Sequence, residues 1–424
     1  MHKIERLLQT LAPKGVEFKT LEEVFEIRNG YTPSKNNPEF WKNGTIPWFR
    51  MEDLRENGRI LKDSIQHITP KALKGKKLFP KNSIIISTTA TIGEHALLIV
   101  ESLANQRFTF LSKKANCDIA LDMKFFFYQC FLLGEWCKNN TNVSGFASVD
   151  MTAFKKYKFP IPPLEIQQEI VTILDAFTEL NTELNTELKA RKKQYQYYQN
   201  MLLDFNDINQ SHKDAKEKLA QKPYPKRLKT LLHTLVPKGV EFRKLGEVCE
   251  ILDNRRIPIA KNKRNPGIYP YYGANGIQDY IDSYIFDGDF VLVGEDGSVI
   301  NKDNTPVVNW ASGKIWVNNH AHVLQTKNEL KLKFLYFYLQ TIDVSYCVAG
   351  TPPKINQENL KKITIPIPPL EIQQEIVKIL DQFLALTTDL LAGIPAEIKV
   401  RKKQYEYYRE KLLTFKPLLK QGVT

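Results

Sequence analysis

The stretch that decides the fold is PIPPLEIQQEIV, which occupies residues 160–171 and returns without a single change at residues 366–377. Each copy opens with prolines and continues with apolar residues at helical spacing. Pro163 and Pro369 suit the first turn of a helix, because an N–H has no helical partner there and its loss costs nothing. The repeated stretch therefore predicts two equivalent helix starts.

Two further segments repeat in the same order. LAPKGVEFKTLEEVFEI (11–27) returns as LVPKGVEFRKLGEVCEI (235–251), and RKKQYQYY (191–198) returns as RKKQYEYY (401–408). Self-similarity in a fixed order indicates a duplicated unit, here of roughly 200 residues. The halves meet in NDINQSHKDAKEKLAQKPYPKR, whose polar, charged and proline-containing composition predicts a linker.

The tail of each half carries apolar residues at alternating three- and four-residue steps. A spacing near 3.5 over about five heptads predicts a coiled-coil seam between two long helices. The alternative, an ordinary amphipathic surface helix, rarely persists for ~40 residues, a length of about 60 Å. The predicted seam residues are Ile166, Ile170, Phe177, Leu184 and Tyr195 in the first tail, and Ile372, Ile376, Phe383, Leu390 and Tyr405 in the second.

The two tails differ at one place. The first contains TELNTELNTEL (178–188), a tetrapeptide in tandem, whereas the second has Gly393 and Pro395, which predict a kink or a brief interruption of its helix. Each added tetrapeptide would lengthen a helix by ~6 Å and rotate its end by ~40° beyond a full turn. The tandem unit thus predicts a ruler, and replication slippage without consequence is the alternative.

The composition favours a polyanion as partner. The formal charge is +13 and the isoelectric point is near 9.2, which favours nucleic acid first and an acidic membrane surface second. The sequence shows no signal-peptide core and no run of ~18 apolar residues. The five cysteines form no CxxC pair, so a reducing, cytoplasmic location is expected.

Familiar catalytic motifs are missing from the sequence. It contains no G-x-x-x-x-G-K-[ST] phosphate loop, no GxGxxG and no Asn/Asp-Pro-Pro-aromatic tetrapeptide of the amino-methyltransferases. The acidic stretch DGDFVLVGEDG (287–297) could suggest a metal nuclease, but it lacks the partnering ExK lysine. His320 and His322 have no apparent third ligand. We therefore predict no catalytic residue and no metal site in this chain.

The whole pattern resembles the specificity (S) subunits of type I restriction-modification systems. The resemblance rests on the duplicated PIPPLEIQQEIV, the paired RKKQY-YY helix ends and the TELN tetrapeptides. GTIPWFRMEDL (44–54), SIIISTTATIG (83–93) and NQRF (105–108) are similar to the target-recognition domain of this family. YPYYGANGIQDYI (269–281) departs from that form in the second half.

This resemblance implies a mixed α/β fold with two globular target-recognition domains, separated by two long antiparallel coiled-coil helices and related by a pseudo-two-fold repeat. Each domain would read one half of a bipartite asymmetric DNA sequence, and the helices would fix the unread gap. The implied boundaries are a first recognition domain at 1–160, a first helix at 161–205, a linker at 206–228, a second recognition domain at 229–366 and a second helix at 367–416.

The resemblance also implies partners. Two modification (methyltransferase) subunits would dock on the helices, and restriction subunits would join them. S-adenosylmethionine, ATP and Mg²⁺ would belong to those partners, so that the complex is an N6-adenine methyltransferase and an ATP-dependent endonuclease while this chain is non-catalytic. The basic residues of the RKKQY segments would face either the modification subunits or DNA.

Bidentate amides, arginines and hydroxyls on turns are the side chains best suited to base edges. Lysines more often contact phosphate, which adds affinity without sequence information. For each residue the alternative is an ordinary surface turn. The predicted base-contacting residues are Arg50, Thr88, Thr89, Gln106 and Arg107 in the first half and Asn275, Ser298, Asn318, Asn319 and His320 in the second, and the predicted phosphate contacts are Lys74, Lys76 and Lys77.

Two other classes of protein remain open at this stage. One is a two-lobed coiled-coil scaffold that organises identical partners without touching DNA. Binding of duplex DNA with a steep salt dependence would argue against it. The other is a stand-alone methyltransferase or nuclease with disguised motifs, which would be labelled by S-adenosylmethionine without any partner.

Overall fold

Both copies of the twelve-residue repeat begin a helix in the computed structural model, which describes residues 2–75, 77–142, 147–205, 222–297, 299–388 and 393–418. The chain divides into two units. Unit 1 comprises Met1–Glu183 and Lys399–Thr424, and unit 2 comprises Leu184–Ile398. The units cut across the long helices, and the domain boundaries given above stay predictions. None of the described helices is long and apolar enough to cross a membrane.

Unit 1 is built around an antiparallel sheet of order β2-β9-β6-β7-β4, in which only the edge pair β4–β7 is parallel, and a smaller sheet of order β5-β3-β8. Its strands are β1 (Glu17–Thr20), β2 (Phe25–Asn29), β3 (Ile46–Phe49), β4 (Ile60–Leu61), β5 (His67–Ile68), β6 (Ser83–Ser87), β7 (His95–Leu98), β8 (Leu103–Ala104), β9 (Phe108–Lys113), β10 (Thr141–Asn142), β11 (Ser148–Val149) and β12 (Lys158–Ile161). Its helices are α1 (His2–Leu11), α2 (Leu21–Val24), α3 (Met51–Asn57), α4 (Met123–Asn139), α5 (Met151–Lys155), the first part of α6 (Leu164–Leu203) and, from Lys399 on, the greater part of α12 (Ile394–Leu413).

Unit 2 has one sheet of six strands in the order β14-β19-β17-β18-β15-β16, antiparallel except for β15–β18. Its strands are β13 (Phe242–Lys244), β14 (Cys249–Ile251), β15 (Pro266–Gly273), β16 (Gly276–Ile281), β17 (Phe286–Gly294), β18 (Val308–Val317), β19 (Ala321–Thr326) and β20 (Thr364–Pro366). Its helices are the end of α6, α7 (Lys226–Leu235), α8 (Leu245–Val248), α9 (Leu332–Leu339), α10 (Gln357–Lys362), α11 (Leu370–Thr388) and the start of α12 (Ile394–Leu413).

A central strand of each sheet is buried on both faces. In β6, Ile84 and Ile86 pack into a core that includes α4 and the start of α6, whereas Ile85 packs into the core of the smaller sheet. In β17, Val291 and Val293 face the helical core and Leu292 faces the opposite one. This alternation is the two-residue period of a strand, and it explains why both segments are continuous apolar runs in the sequence.

The repeated stretch has the same contacts in both units. Gln167 is fully buried; its Nε2 donates to the carbonyl oxygens of Ala120 (2.9 Å) and Pro162 (2.7 Å), and its Oε1 accepts from the N–H of Asp122 (2.8 Å). Gln373 does the same with Glu329 (2.9 Å), Pro368 (2.7 Å) and Lys331 (2.8 Å). Each glutamine therefore ties the start of a long helix to the loop before α4 or α9.

The acidic residue of the repeat also has equivalent contacts. Glu169 pairs with Lys3 of α1 at 2.5 Å, and Glu375 pairs with Arg227 of α7 at 3.2 Å. The prolines start both helices, since the carbonyl of Pro163 accepts from two backbone N–H groups of the first turn, as does that of Pro369. The prolines, the buried glutamine and the second glutamate of the repeat thus make contacts that the two units share.

Each unit packs the start of one long helix against the end of the other. In unit 1 the ring of Phe177 stacks on Tyr408, with centroids 5.6 Å apart. In unit 2 Tyr198 stacks on Phe383, with centroids 5.1 Å apart. Ile166 and Ile170 are buried in unit 1 and Ile372 and Ile376 in unit 2, while Tyr405, Tyr195 and Leu184 are half-buried. The two ring pairs agree with the predicted antiparallel packing of the long helices. The roles of the individual seam residues stay predictions.

The second tail is interrupted at the predicted place. Helix α11 ends at Thr388 and α12 begins at Ile394, with Gly393 outside any helix and Pro395 in the first turn of α12. Residues 389–392, which include the predicted seam residue Leu390, lie outside the described part of the chain. By contrast, α6 runs without a break through the TELN repeats.

A buried histidine makes the stability of unit 1 depend on pH. The ring of His95 is fully buried against Phe127 and Phe131, with centroids 5.5 and 4.6 Å away. Burial, with a smaller effect of the nearby Arg59 charge, lowers the pKa of His95 to about 3. The unfolded chain therefore binds a proton at His95 more readily than the folded chain does. As a result, the free energy of unfolding of unit 1 is highest above the ordinary pKa of 6.5 and decreases as the pH falls below it.

We expect His95→Leu to remove this acid sensitivity. At about pH 5.5 the wild-type unit should lose about 1.4 kcal/mol relative to pH 7.5 through His95 alone, whereas the leucine variant should not. Unfolding of both proteins at the two pH values, followed by hydrogen exchange of β7 and α4, measures the difference. An equal acid loss in both proteins would contradict the assignment.

Candidate nucleic-acid interface

The two units present structurally equivalent pairs of turns beside their central strands. In unit 1 the N–H of Thr88, at the end of β6, donates to the carbonyl of Arg107 at 3.1 Å. In unit 2 the N–H of Glu295, at the end of β17, donates to the carbonyl of His320 at 2.9 Å. The strand registers agree, since Ile86 pairs with Thr109 and Val293 with His322. The 105–107 turn and the 318–320 turn are therefore structurally equivalent.

Each of these turns is closed by an asparagine. The Oδ1 of Asn105 accepts from the N–H of Arg107 at 3.0 Å, and the Oδ1 of Asn318 accepts from the N–H of His320 at 2.8 Å. Such an Asx turn fixes the backbone of the two residues that follow it. The side chains held in this way are Gln106 and Arg107 in unit 1 and Asn319 and His320 in unit 2, and all four are exposed.

Unit 1 gathers three of the predicted residues around one cleft. A cavity of about 230 Å³ is lined by Arg50, Gln106 and Arg107 together with Thr32 and Lys35. The Thr32 hydroxyl donates to the side-chain oxygen of Gln106. The Arg50 guanidinium lies 5.9 Å from the centre of the Trp48 ring. The cleft therefore presents two arginines, an amide and a lysine together.

The other predicted residues of unit 1 do not line this cleft. Thr88 is buried, and its hydroxyl hydrogen-bonds to that of Thr109 at 2.9 Å, so it faces inward. Thr89 is half-buried, and its carbonyl accepts from the Ser87 hydroxyl at 2.8 Å. Lys74 and Lys77 are exposed, whereas Lys76 lies outside the described residues. Their DNA contacts stay predictions.

In unit 2 a hairpin lies beside the 318–320 turn. The backbone N–H of Asn318 donates to the carbonyl of Tyr272 at 3.0 Å, and its Nδ2 lies 3.4 Å from the Oε1 of Gln278. Asn318 is buried, so its amide serves this junction rather than solvent. Asn275 is exposed at the tip of the β15–β16 hairpin. Ser298 lies outside the described residues.

Beneath the 318–320 turn lies a set of charged groups that sequence reasoning missed. Asp253, Glu295 and His322 place one ligand atom each within 4.8 Å of one another, a spacing that could hold a metal ion. Two cations of the chain already lie against these carboxylates: Arg256 is 2.6 Å from Glu295 and Lys354 is 3.0 Å from it. The arrangement therefore fits an ion-pair network better than a metal centre.

The electrostatics of this network favour its charged form. Burial alone would raise the pKa of Asp253, but the hydrogen bond from His322 and the charges of His322 and Arg256 hold it below its ordinary value. Burial likewise opposes ionisation of Glu295, and hydrogen bonds from Arg256 and Lys354 outweigh it and lower its pKa. Both carboxylates are thus ionised at neutral pH.

Comparison with known proteins shows the family of this chain. A family model described as the type I restriction modification DNA specificity domain matches residues 13–194 and 237–400. The EcoprrI type I restriction enzyme specificity subunit of Escherichia coli is 40% identical over 405 residues, which cover 92% of this chain and 93% of that protein.

Solved structures share the fold. The S subunit of a type I restriction-modification system from M. genitalium has a TM-score of 0.54 at 15% identity and covers 94% of this chain and 96% of its own. A chain from a structure on complex assembly and conformational transition of the type I R-M system has a TM-score of 0.57 at 17% identity and covers 94% and 97%.

The family model and this relative identify the two-unit α/β chain as a DNA recognition subunit. The chain belongs to the DNA specificity family of type I restriction-modification systems. It supplies the DNA sequence specificity of such a system, in which other subunits join it. The resemblance seen in the sequence and its fold class are confirmed.

Proposed function

We propose that the chain reads a bipartite, asymmetric DNA target, one half through the cleft of unit 1 and the other through the 318–320 turn of unit 2. The observation that carries this proposal is the equivalence of the two turns. They share backbone hydrogen bonds and strand register, yet one presents Gln106 and Arg107 and the other Asn319 and His320. A common frame with different exposed side chains suits two readers of different sequences.

The side chains suit base edges in the major groove. Arginine binds the O6 and N7 of guanine, and glutamine or asparagine binds the N6 and N7 of adenine. In unit 2 the imidazole Nδ1 of His320 lies 2.5 Å from the carboxylate of Asp296. This contact orients the ring and leaves its other nitrogen, Nε2, for hydrogen bonding to a base. Lys35 in unit 1, with the predicted contacts Lys74 and Lys77, supplies positive charge for phosphates.

The long helices are proposed to bind two modification subunits. Support comes from a pair of exposed tyrosines at equivalent places, Tyr197 on α6 (56% exposed) and Tyr407 on α12 (59% exposed). Tyrosine is enriched at protein interfaces, and identical exposed residues suit two copies of one partner. In this proposal two restriction subunits join the complex, and the partners hold S-adenosylmethionine, ATP and Mg²⁺ for adenine methylation and ATP-dependent cleavage.

The proposed setting is the cytoplasm, where such a complex meets DNA. The described cysteines are all free thiols, which suits a reducing compartment. The test of the function is long-read sequencing of host DNA with and without this chain. A bipartite N6-methyladenine motif should be present only with the chain. A complex that does not bind duplex DNA with a steep salt dependence at all would instead favour the scaffold alternative, which has no DNA contact of its own.

Arg107→Ala is expected to relax one half of that motif only. The guanidinium is exposed at the cleft of unit 1, and a lost bidentate contact costs about 1–3 kcal/mol of discrimination at one base pair. Methylation sequencing of a strain carrying the variant with its partner subunits measures the preference at each base. Arg55→Ala, an exposed arginine of α3 outside the cleft, is the control. Equal losses on all sequences would make Arg107 a phosphate contact.

A further inference from the structure

The two units support their equivalent turns with chemically different triads. In unit 1 the triad is neutral: the Thr109 hydroxyl lies 2.9 Å from that of Thr88 and 3.0 Å from the Oδ1 of Asn29. The strand registers place His322 where unit 1 has Thr109, and the adjoining strand ends and backbone hydrogen bonds place Asp253 and Glu295 where unit 1 has Asn29 and Thr88. All three of these residues of unit 2 are ionisable.

The equivalence follows from hydrogen-bonded pairing. Ile27 pairs with Leu111 in unit 1 as Ile251 pairs with Leu324 in unit 2, so that the strands on either side of the triad align residue by residue. In unit 2 the imidazole Nδ1 of His322 lies 2.6 Å from the Oδ2 of Asp253. Its Nε2 contacts the carbonyl of Ile355 at 2.8 Å, and the side chain is fully buried.

Arg256 joins this triad to the exposed turn. Its Nη1 donates to the carboxylate of Glu295 (2.6 Å), to the carbonyl of Ala321 (2.8 Å) and, more weakly, to the carbonyl of Asn319 (3.4 Å). Its Nε donates to the carbonyl of Asp253 at 3.1 Å. The side chain is only 11% exposed. The guanidinium of Arg256 therefore contacts both the 318–320 turn and Glu295, the first residue of the neighbouring 295–297 turn, and it fixes the position of one turn against the other.

The relative position of these two turns determines where the exposed ring of His320 lies. The ring is oriented by Asp296, which directly follows Glu295, while the backbone of His320 accepts from the N–H of Glu295. A change in the position of Glu295 would therefore move both the ring and its orienting carboxylate. A lysine at position 256 could supply the charge but not the fork of donors that these contacts use.

We propose that Arg256, acting with Asp253 and Glu295, is a positioning residue that sets the specificity for the half-site read by unit 2. The inference rests on the proposed function. Arg256 itself does not contact DNA; it holds Asn319 and His320 in the geometry that a base edge requires. Unit 1 does without such an arginine because its neutral triad supports a turn whose Gln106 is held by the Thr32 hydroxyl.

The test uses the full chain assembled with its partner subunits in a host, with N6-methyladenine sequencing as the readout of base preference at each position. In Arg256→Gln the base preference at the half-site of unit 2 should fall by about tenfold, which is the loss of discrimination that one mismatched base pair typically causes. The preference at the other half-site should stay unchanged. Arg256→Lys should behave like Arg256→Gln, because the charge alone does not hold the turn.

Arg243→Gln is the matched control, because Arg243 also forms ion pairs in unit 2, with Glu329 at 3.0 Å and Glu247 at 3.6 Å, away from the turn. It should leave both half-sites unchanged. If Arg256→Gln does not fold, Glu295→Gln keeps the shape of the network and should relax the same half-site. A retained preference in the folded variants, or an equal weakening of both half-sites, would overturn the inference. A wild-type complex without half-site preferences would overturn the proposed function instead.

Discussion

Replacing Gln373 by leucine is expected to destabilise unit 2 by about 3 kcal/mol. The side chain is fully buried and serves three backbone groups, those of Lys331, Glu329 and Pro368, at 2.7–2.9 Å. Leucine has a similar volume and is a good helix former, so the change removes the hydrogen bonds and little else. Each buried group left without a partner costs about 1–3 kcal/mol, and partial access to water reduces the sum.

The same substitution at Gln167 should act on unit 1 alone, because its partners Ala120, Asp122 and Pro162 all belong to that unit. Denaturant unfolding with hydrogen exchange resolved along the chain separates the two units. The next residue in each copy is also a glutamine but is exposed, so Gln168→Leu and Gln374→Leu are matched controls with effects within about 0.5 kcal/mol. Equal effects at the buried and exposed positions would contradict the role of Gln167 and Gln373.

These contacts explain why the inward-facing residues of the repeat are identical in both halves. Ile166 and Ile372 fill equivalent core positions, and the two buried glutamines bind equivalent loops. Glu169 and Glu375 form ion pairs with α1 and α7. The turns that face solvent serve no such shared task, so they differ. Sequence reasoning could predict the helices, the seam and the alignment of the halves, because each depends on local periodicity or on the repeat itself.

The charged network of unit 2 could not be predicted in this way. Asp253, Glu295 and His322 are far apart in the sequence, and only the register of β14, β17 and β19 brings them together. Thr88 and Asn318 are polar residues on predicted turns, yet both are buried because each lies at a strand end on the inward side. The sequence of a turn shows which residues are polar, but it does not show which of their side chains face solvent.

Inserting one further TELN unit after Asn185 is expected to widen the unread gap of the DNA target by about one to two base pairs. Helix α6 is continuous through the tandem repeat, with Leu180, Leu184 and Leu188 half-buried at four-residue steps. An inserted unit continues this pattern, so the helix should persist and lengthen by ~6 Å, against 3.4 Å for one base-pair step. Methylome sequencing of a strain carrying the insertion reports the new gap directly.

The half-sites themselves should not change, because the insertion lies outside the strands and turns that carry Arg107 and His320. Removal of one unit should narrow the gap by the same reasoning. Thr182→Ala, which alters the repeat without altering its length, is the control and should leave the gap as it is. An unchanged gap after the insertion would mean that helix length does not set the spacing, and slippage without consequence would then account for the tandem repeat. A changed gap with unchanged half-sites would separate the two tasks of the chain, because length would act on spacing alone and the turns on sequence alone.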